Sequence, residues 1–191
     1  MNQATNIISP LTGEQQQKVI RQTQFYIKQA QKLFKLKDKT LEITFDLKGR
    51  SAGMYRVKQS KGRLFKRTQR EIRYNSFIFA KYFTDNYTTT IPHEVAHYVT
   101  DIIYGLKNIK PHGKEWKEVM QAFDADASVT ANYDLSGIPL KKQSLFSYRC
   151  DCREHQLTSI RHNRIKKRRC RYYCSYCKQI LQFEKQTETP A

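Results

Sequence analysis

From Thr12 to residue 37 the apolar positions recur every three or four residues, at Val19, Ile20, Thr23, Tyr26, Ile27, Ala30, Leu33 and Phe34. That spacing gathers them on one face of a helix and leaves Gln and Lys for the solvent side. Thr12 followed by Gln15 is a capping-box pair, which predicts the helix start. The period then changes. Residues 41–47 alternate apolar and polar, as a half-buried strand does. A turn over Lys48–Gly53 leads to a second expected strand at 53–58, and the apolar run of 71–79 reads as a third. A helix is expected over about 91–105, with Thr90 as its cap, Pro92 in its first turn and Gly105 at its end. After a short loop and His112-Gly113, Trp116, Val119, Met120 and Phe123 mark one side of another helix. Residues 124–140 carry no period and read as the boundary between two domains.

The predicted helix at 91–105 contains His93-Glu94-Val95-Ala96-His97. Positions i and i+4 share a helix face, so the two imidazoles can reach one zinc ion, and Glu94 stands beside the first ligand as a general base for a water molecule. A hydrolytic zinc site needs three protein ligands and one open position. His112, at the end of a loop and just before a helix, is the expected third ligand; Glu115 and Glu118 are its rivals. The metzincin continuation is absent, since Thr100 and Ile103 stand where Gly and His would be required. A tyrosine or a backbone N–H is expected to help stabilise developing charge on a substrate carbonyl.

Charge changes the picture more than composition does. Lys and Arg number 35 against 17 Asp and Glu, a formal net charge of +18. Such an excess implies a polyanionic partner, with nucleic acid ahead of a membrane surface. The excess is local. Residues 48–73 carry ten Lys/Arg and one acid, and residues 141–185 carry thirteen and three. The second segment includes Arg161, Arg164, Lys166, Lys167, Arg168 and Arg169, with Tyr173 close behind. Cations for phosphates beside aromatic faces for bases suit single-stranded nucleic acid. No apolar run approaches the length of a membrane span, and the polar start lacks the apolar core of a signal peptide, so no membrane association and a cytoplasmic location are expected.

In a reducing compartment five cysteines read as metal ligands before disulfides. Cys150-Asp151-Cys152 and Cys174-Ser175-Tyr176-Cys177 have the paired arrangement of a zinc ribbon, a closed structural site of four thiolates. His155 is the alternative partner in the first pair, and Cys170 is left over.

Together these residues resemble the SprT family of zinc metalloproteins, related to the Spartan DNA–protein crosslink protease. The resemblance rests on His93-Glu94-Val95-Ala96-His97, His112-Gly113-Lys114-Glu115-Trp116, Tyr148-Arg149-Cys150-Asp151-Cys152, and Leu157 to Arg164 leading into Cys174 and Cys177. It spans nearly all of the chain after the first helix, although the basic stretch near 60–70 is longer than the family pattern. It implies an α+β fold with a zincin-like metalloprotease domain over 10–135 and a basic zinc ribbon over 145–185. The zincin-like domain would comprise an N-terminal helix, a small antiparallel or mixed sheet, the H-E-x-x-H helix and the helix after it. It also implies one catalytic zinc on His93, His97 and His112 with Glu94 as base, one structural zinc, and no small-molecule cofactor. The implied substrates are proteins bound to DNA, and the implied location is the cytoplasm. The alternative is a non-enzymatic regulator that binds nucleic acid and uses zinc only for stability.

Overall fold

Thr12 opens the first element as the sequence predicts. Its hydroxyl accepts the Gln15 N–H at 3.3 Å, and the Gln15 side chain accepts the Thr12 N–H at 2.9 Å. Helix α1 (Gly13–Phe34) buries Val19, Thr23 and Ala30 and ends at Lys35, whose φ of 51° stops the helical run. The computed structural model describes residues 7–37, 40–61, 66–128, 132–140 and 144–184. It divides into two units, Met1–Leu140 and Lys141–Ala191.

The first unit is α+β. Strands β1 (Leu41–Thr44), β2 (Gly53–Lys61) and β3 (Lys66–Tyr74) form a sheet in the order β1-β3-β2. β1 runs parallel to β3, whereas β2 and β3 are an antiparallel hairpin. Ile72 and Tyr74 project from β3 into the core, where the Tyr74 hydroxyl and that of Thr23 lie 2.9 Å apart. The third strand is therefore displaced from the expected 71–79. It begins at Lys66 because it pairs along the whole of β2, and it stops at Tyr74. Asn75 then takes over as a helix cap, its side-chain oxygen accepting the N–H groups of Phe77 and Ile78 at 3.1 and 3.3 Å. The apolar run Phe77-Ile78-Phe79 thus lies in a short helix, α2 (Ser76–Lys81). A brief apolar run fits a buried strand or a buried helix equally, and here the cap decides. The first strand is also shorter than the expected 41–47. Residues 62–65, the tip of the basic run, lie outside the described residues.

Helix α3 (Phe83–Thr88) runs almost directly into α4 (Thr90–Tyr104). Thr90 is therefore not the cap the sequence predicts: Thr89 precedes α4 in helical conformation, and the Thr90 hydroxyl donates to Asn86 Oδ1 at 2.7 Å. α4 ends at Gly105 as expected. Ile91, Val95, Ala96 and Val99 on α4 are fully buried against α1, the sheet and α5 (Lys114–Ala122), which adds Trp116, Val119 and Met120.

The second unit has strands β4 (Leu145–Cys150) and β5 (Arg153–Thr158), helix α6 (Ser159–Lys166) and a short β6 (Gln182–Phe183), in the sheet order β5-β4-β6. Tyr148, Leu157 and Leu181 are buried in it together with Cys150 and Cys174. No helix among the described residues is long and apolar enough to cross a membrane.

One glycine governs how closely β2 approaches α4. A Cβ placed on Gly53 would stand 2.7 Å from Glu94 Cγ and Oε1 and from Thr90 Cγ2, closer than such atoms pack. Gly13, by contrast, has nothing within 4 Å of its missing Cβ. Gly53→Ala is expected to lower unfolding stability by about 1–3 kcal/mol through overpacking. Gly13→Ala is expected to be neutral or to stabilise by up to about 1 kcal/mol. Urea midpoints of the two variants decide it, and equal midpoints would remove the claim about Gly53.

Candidate metal centre

His93 and His97 lie one turn apart on α4, their ring centroids 5.0 Å from each other. His112 reaches them from the loop between α4 and α5. Its Nε2 lies 3.0 Å from Nε2 of His93 and 3.0 Å from Nε2 of His97. Two local features aim it. His112 has a φ of 56°, a left-handed conformation uncommon for a residue with a side chain. Gly113 follows in a turn so tight that a Cβ would stand 2.9 Å from the Lys110 carbonyl oxygen. Trp116, one turn into α5, then packs against all three imidazoles, with centroids 4.8, 5.8 and 4.9 Å away, and donates its indole N–H to the His93 carbonyl at 3.3 Å.

Three imidazole donors within 4.8 Å of one another fit a single divalent ion. Nitrogens about 2.0–2.1 Å from a tetrahedral centre stand a little over 3 Å apart, close to the separations here. Protonation also fits, because a ligating imidazole must be neutral. Burial, with repulsion from neighbouring rings, drives the pKa of His93 down to about 4 and that of His97 to about 3. Burial lowers that of His112 as well. The rivals Glu115 and Glu118 stand outside the cluster, and Glu118 faces Lys114 at 3.8 Å.

Glu94 is 6% exposed. Burial pushes its carboxyl up to about 8, although the Tyr55 backbone N–H partly opposes this by donating to it. The Tyr55 hydroxyl donates to Asp101 Oδ2 at 2.8 Å, and Arg70 Nε donates to the same oxygen at 2.7 Å. Tyr55 therefore ties β2 to α4 at two points, seven residues apart on one helix face. Sequence patterning alone does not mark Gly53, Tyr55, Asp101 or Trp116 as parts of this site. The available signal is that Glu94, His97 and Asp101 recur at i, i+3 and i+7. Glu94 and the three histidines line one cavity of about 420 Å³ with Gly53.

In the second unit the sulfurs of Cys150, Cys152, Cys174 and Cys177 also lie within 4.8 Å of one another. Cys150 and Cys152 are 3.5 Å apart, and Cys152 and Cys174 are 3.7 Å apart. These distances are too long for disulfides and match thiolates about 2.3 Å from a shared tetrahedral ion. His155 Nε2 sits 3.2 Å from Cys150 Sγ, so the imidazole contacts a sulfur of the group and stands outside the four-sulfur set. Desolvation raises the Cys150 thiol, but the His155 contact, with donors from Cys152 and Arg153, outweighs it and holds the group well below a free thiol. Cys170 lies outside the set. Arg161, Arg164 and Lys166 are exposed along α6, and Lys167 follows as its C-terminal cap. Arg168 and Arg169 line a separate cavity of about 580 Å³ with Ile165, Cys170 and Arg171. Tyr173 is 57% exposed.

Comparison with known proteins identifies the family of the chain. The sequence model of the SprT-like family matches residues 22–135. Protein SprT of Vibrio parahaemolyticus is 33% identical over 155 residues, covering 81% of this chain and 85% of the relative. Protein SprT of Klebsiella pneumoniae is 29% identical over 171 residues, 89% and 94% of the two chains. Protein SprT of Proteus mirabilis is 37% identical over 118 residues, 61% and 67% of the two. No solved structure matches the chain. With more than half its length inside the family's boundaries, this chain belongs to the SprT-like family.

Proposed function

We propose that the chain is a zinc-dependent peptidase of the SprT type. Its first unit is a zincin-like catalytic domain, and its second is a zinc ribbon that carries it to DNA. The observation that carries this reading is the convergence of three imidazoles beside a buried carboxyl in one cavity. His93, His97 and His112 would hold the ion, and three protein ligands are the number a catalytic zinc site uses. The chemistry that zinc would supply there is polarisation of a carbonyl and easier deprotonation of water.

The chain's own residues supply the rest. Glu94 takes a proton from the attacking water, whose oxygen bonds to the peptide carbonyl carbon. As the C–N bond breaks, the same carboxyl returns the proton to the leaving amine. Its place is set by the Tyr55 N–H and by the bare backbone of Gly53. Trp116 packs against all three rings and holds the His93 carbonyl with its indole N–H.

DNA as the partner is supported by the net charge of +18 and by the chemistry of the second unit. Arg153 lies over the ring of Tyr176 at 3.5 Å, and that ring is 70% exposed, a platform on which a base can stack. Arg161, Arg164, Lys166, Lys167, Arg168 and Arg169 supply phosphate contacts, with Tyr173 as a further aromatic face. The substrates on this reading are proteins attached to DNA. The competing reading, a regulator without catalysis, gives Glu94 no task.

Three measurements test these assignments. Elemental analysis of the full chain is expected to find two zinc ions, falling to one in His112→Ala and to one in Cys174→Ser. Glu94→Gln is expected to keep both ions while cleavage of a DNA-bound protein falls about 10²- to 10⁴-fold. Equal, chelator-insensitive cleavage by the wild type and Glu94→Gln would end the peptidase reading. For the ribbon, single-stranded DNA affinity is expected to fall steeply with salt. The log–log slope should become shallower by about 0.7 for each phosphate left unneutralised in Arg161→Ala and Arg164→Ala. Slopes unchanged in both variants would move the DNA-binding face elsewhere.

A further inference from the structure

Two cavities meet at the histidine site, and their chemistry differs. Both are lined by Gly53, His93 and Glu94. From that junction, one follows the N-terminal half of α4 past Thr90 and Thr89 and the turn before β2. It has a volume of about 480 Å³ and is lined by Arg50, Asp85, Asp126, Ser128, Asn132 and Tyr133. The other follows α4 the opposite way, past His97 to Thr100, and follows β2 on to Met54 and Tyr55. It has a volume of about 420 Å³, and Leu106, Ile109, Pro111 and Trp116 close it. Glu94, His93 and Gly53 are the lining the two cavities share, between α4 and the start of β2.

The polar stretch is preorganised by its own hydrogen bonds. The Tyr133 hydroxyl donates to Asp85 and, at 3.1 Å, to Asn86 Oδ1, which also accepts the Thr90 hydroxyl. The apolar stretch has the opposite character. Met54 is 38% exposed and Leu106 is 43% exposed, and neither belongs to the main buried core of the unit. Apolar side chains left open around a concave site favour an apolar occupant over water.

We infer that the two cavities together take an extended peptide across Glu94, seating an apolar side chain of the Leu, Met or Phe class between Met54, Leu106 and Ile109 on one side of the scissile bond and polar residues on the other. This selectivity rests on the peptidase reading above. It gives a broadly acting site a bias toward apolar segments, which folded proteins expose only when they open. Burying a Leu-sized side chain against a hydroxymethyl one is worth about tenfold or more in discrimination.

The test uses the zinc-loaded full chain and blocked peptides identical except for Leu or Ser at the position beside the cut. Cleavage-site profiling of a denatured protein mixture locates that position first. The kcat/KM ratio for Leu over Ser is expected to reach at least about tenfold, and to fall toward one in Leu106→Glu and, separately, in Met54→Glu. A second arm is independent of turnover. In Glu94→Gln, fluorescence of Trp116, the single tryptophan of the chain, reports half-saturation by the same two peptides. The Leu peptide is expected to saturate at several-fold lower concentration. Cleavage with a Leu:Ser ratio within twofold would overturn the inference and leave the peptidase reading standing. Should no peptide be cleaved at all, the peptidase reading fails and the fluorescence arm alone decides the pocket: equal saturation by the two peptides refutes it.

Discussion

Two imidazoles one turn apart on a helix offer an ion two ligands and no more. The three-sided centre of the first unit depends on folding His112 back over α4, 15 residues after His97. The chain does this in an unfavourable local conformation. A residue with a side chain in the left-handed region costs about 1–2 kcal/mol. Trp116, four residues on, is 1% exposed. An aromatic ring of its kind buries about 150–250 Å², an upper bound of about 4–6 kcal/mol at 25 cal/mol per Å². Packing therefore outweighs the strain, and the indole that anchors the turn also presses on the rings the turn delivers.

A second constraint is electrostatic. Glu94 is buried and His93 and His97 are half-buried, and desolvation drives each toward its uncharged form, the histidines downward and the carboxyl upward. Arg70 and Tyr55 both donate to Asp101, so that carboxylate is paired away from the site. The centre is thus self-consistent in two ways, as a neutral polar cluster or as a site around a cation that restores the carboxylate. A bound dication would pull Glu94 the other way, toward its carboxylate.

What could be read in the sequence follows from what repeats. The first helix and its cap, the helix of His93 and His97, and Gly105 at its end all rest on a 3.6-residue period or a local side-chain-to-backbone bond, and both are visible in one dimension. The stretch 75–79 misled because three apolar residues in a row have no period, and the deciding hydrogen bonds from Asn75 are a matter of one side chain. Helices α2, α3 and α6 are too short to show a period at all. The parallel pairing of β1 with β3 joins residues about 29 apart and leaves no local trace, as in Leu41 against Arg70. The need for Gly at position 53 is of the same kind, since the atoms it avoids belong to Thr90 and Glu94 on another element.

The second unit shows why its cysteines carry more than chemistry. Its buried core consists of Tyr148, Cys150, Leu157, Cys174 and Leu181, so two of the five core residues are themselves thiols of the four-sulfur group. A core of that size returns too little apolar burial to offset the ordering of some forty residues. The unit must also tolerate a segment with thirteen cationic side chains and three acids, whose mutual repulsion opposes compaction. An ion held by four thiolates would contribute about 10 kcal/mol or more of folding free energy, and that exceeds what three large apolar side chains can supply. The same surplus of charge that makes the unit hard to fold is what a polyanion would neutralise, so on physical grounds a bound ion and a bound polyanion would stabilise the same small body from inside and outside.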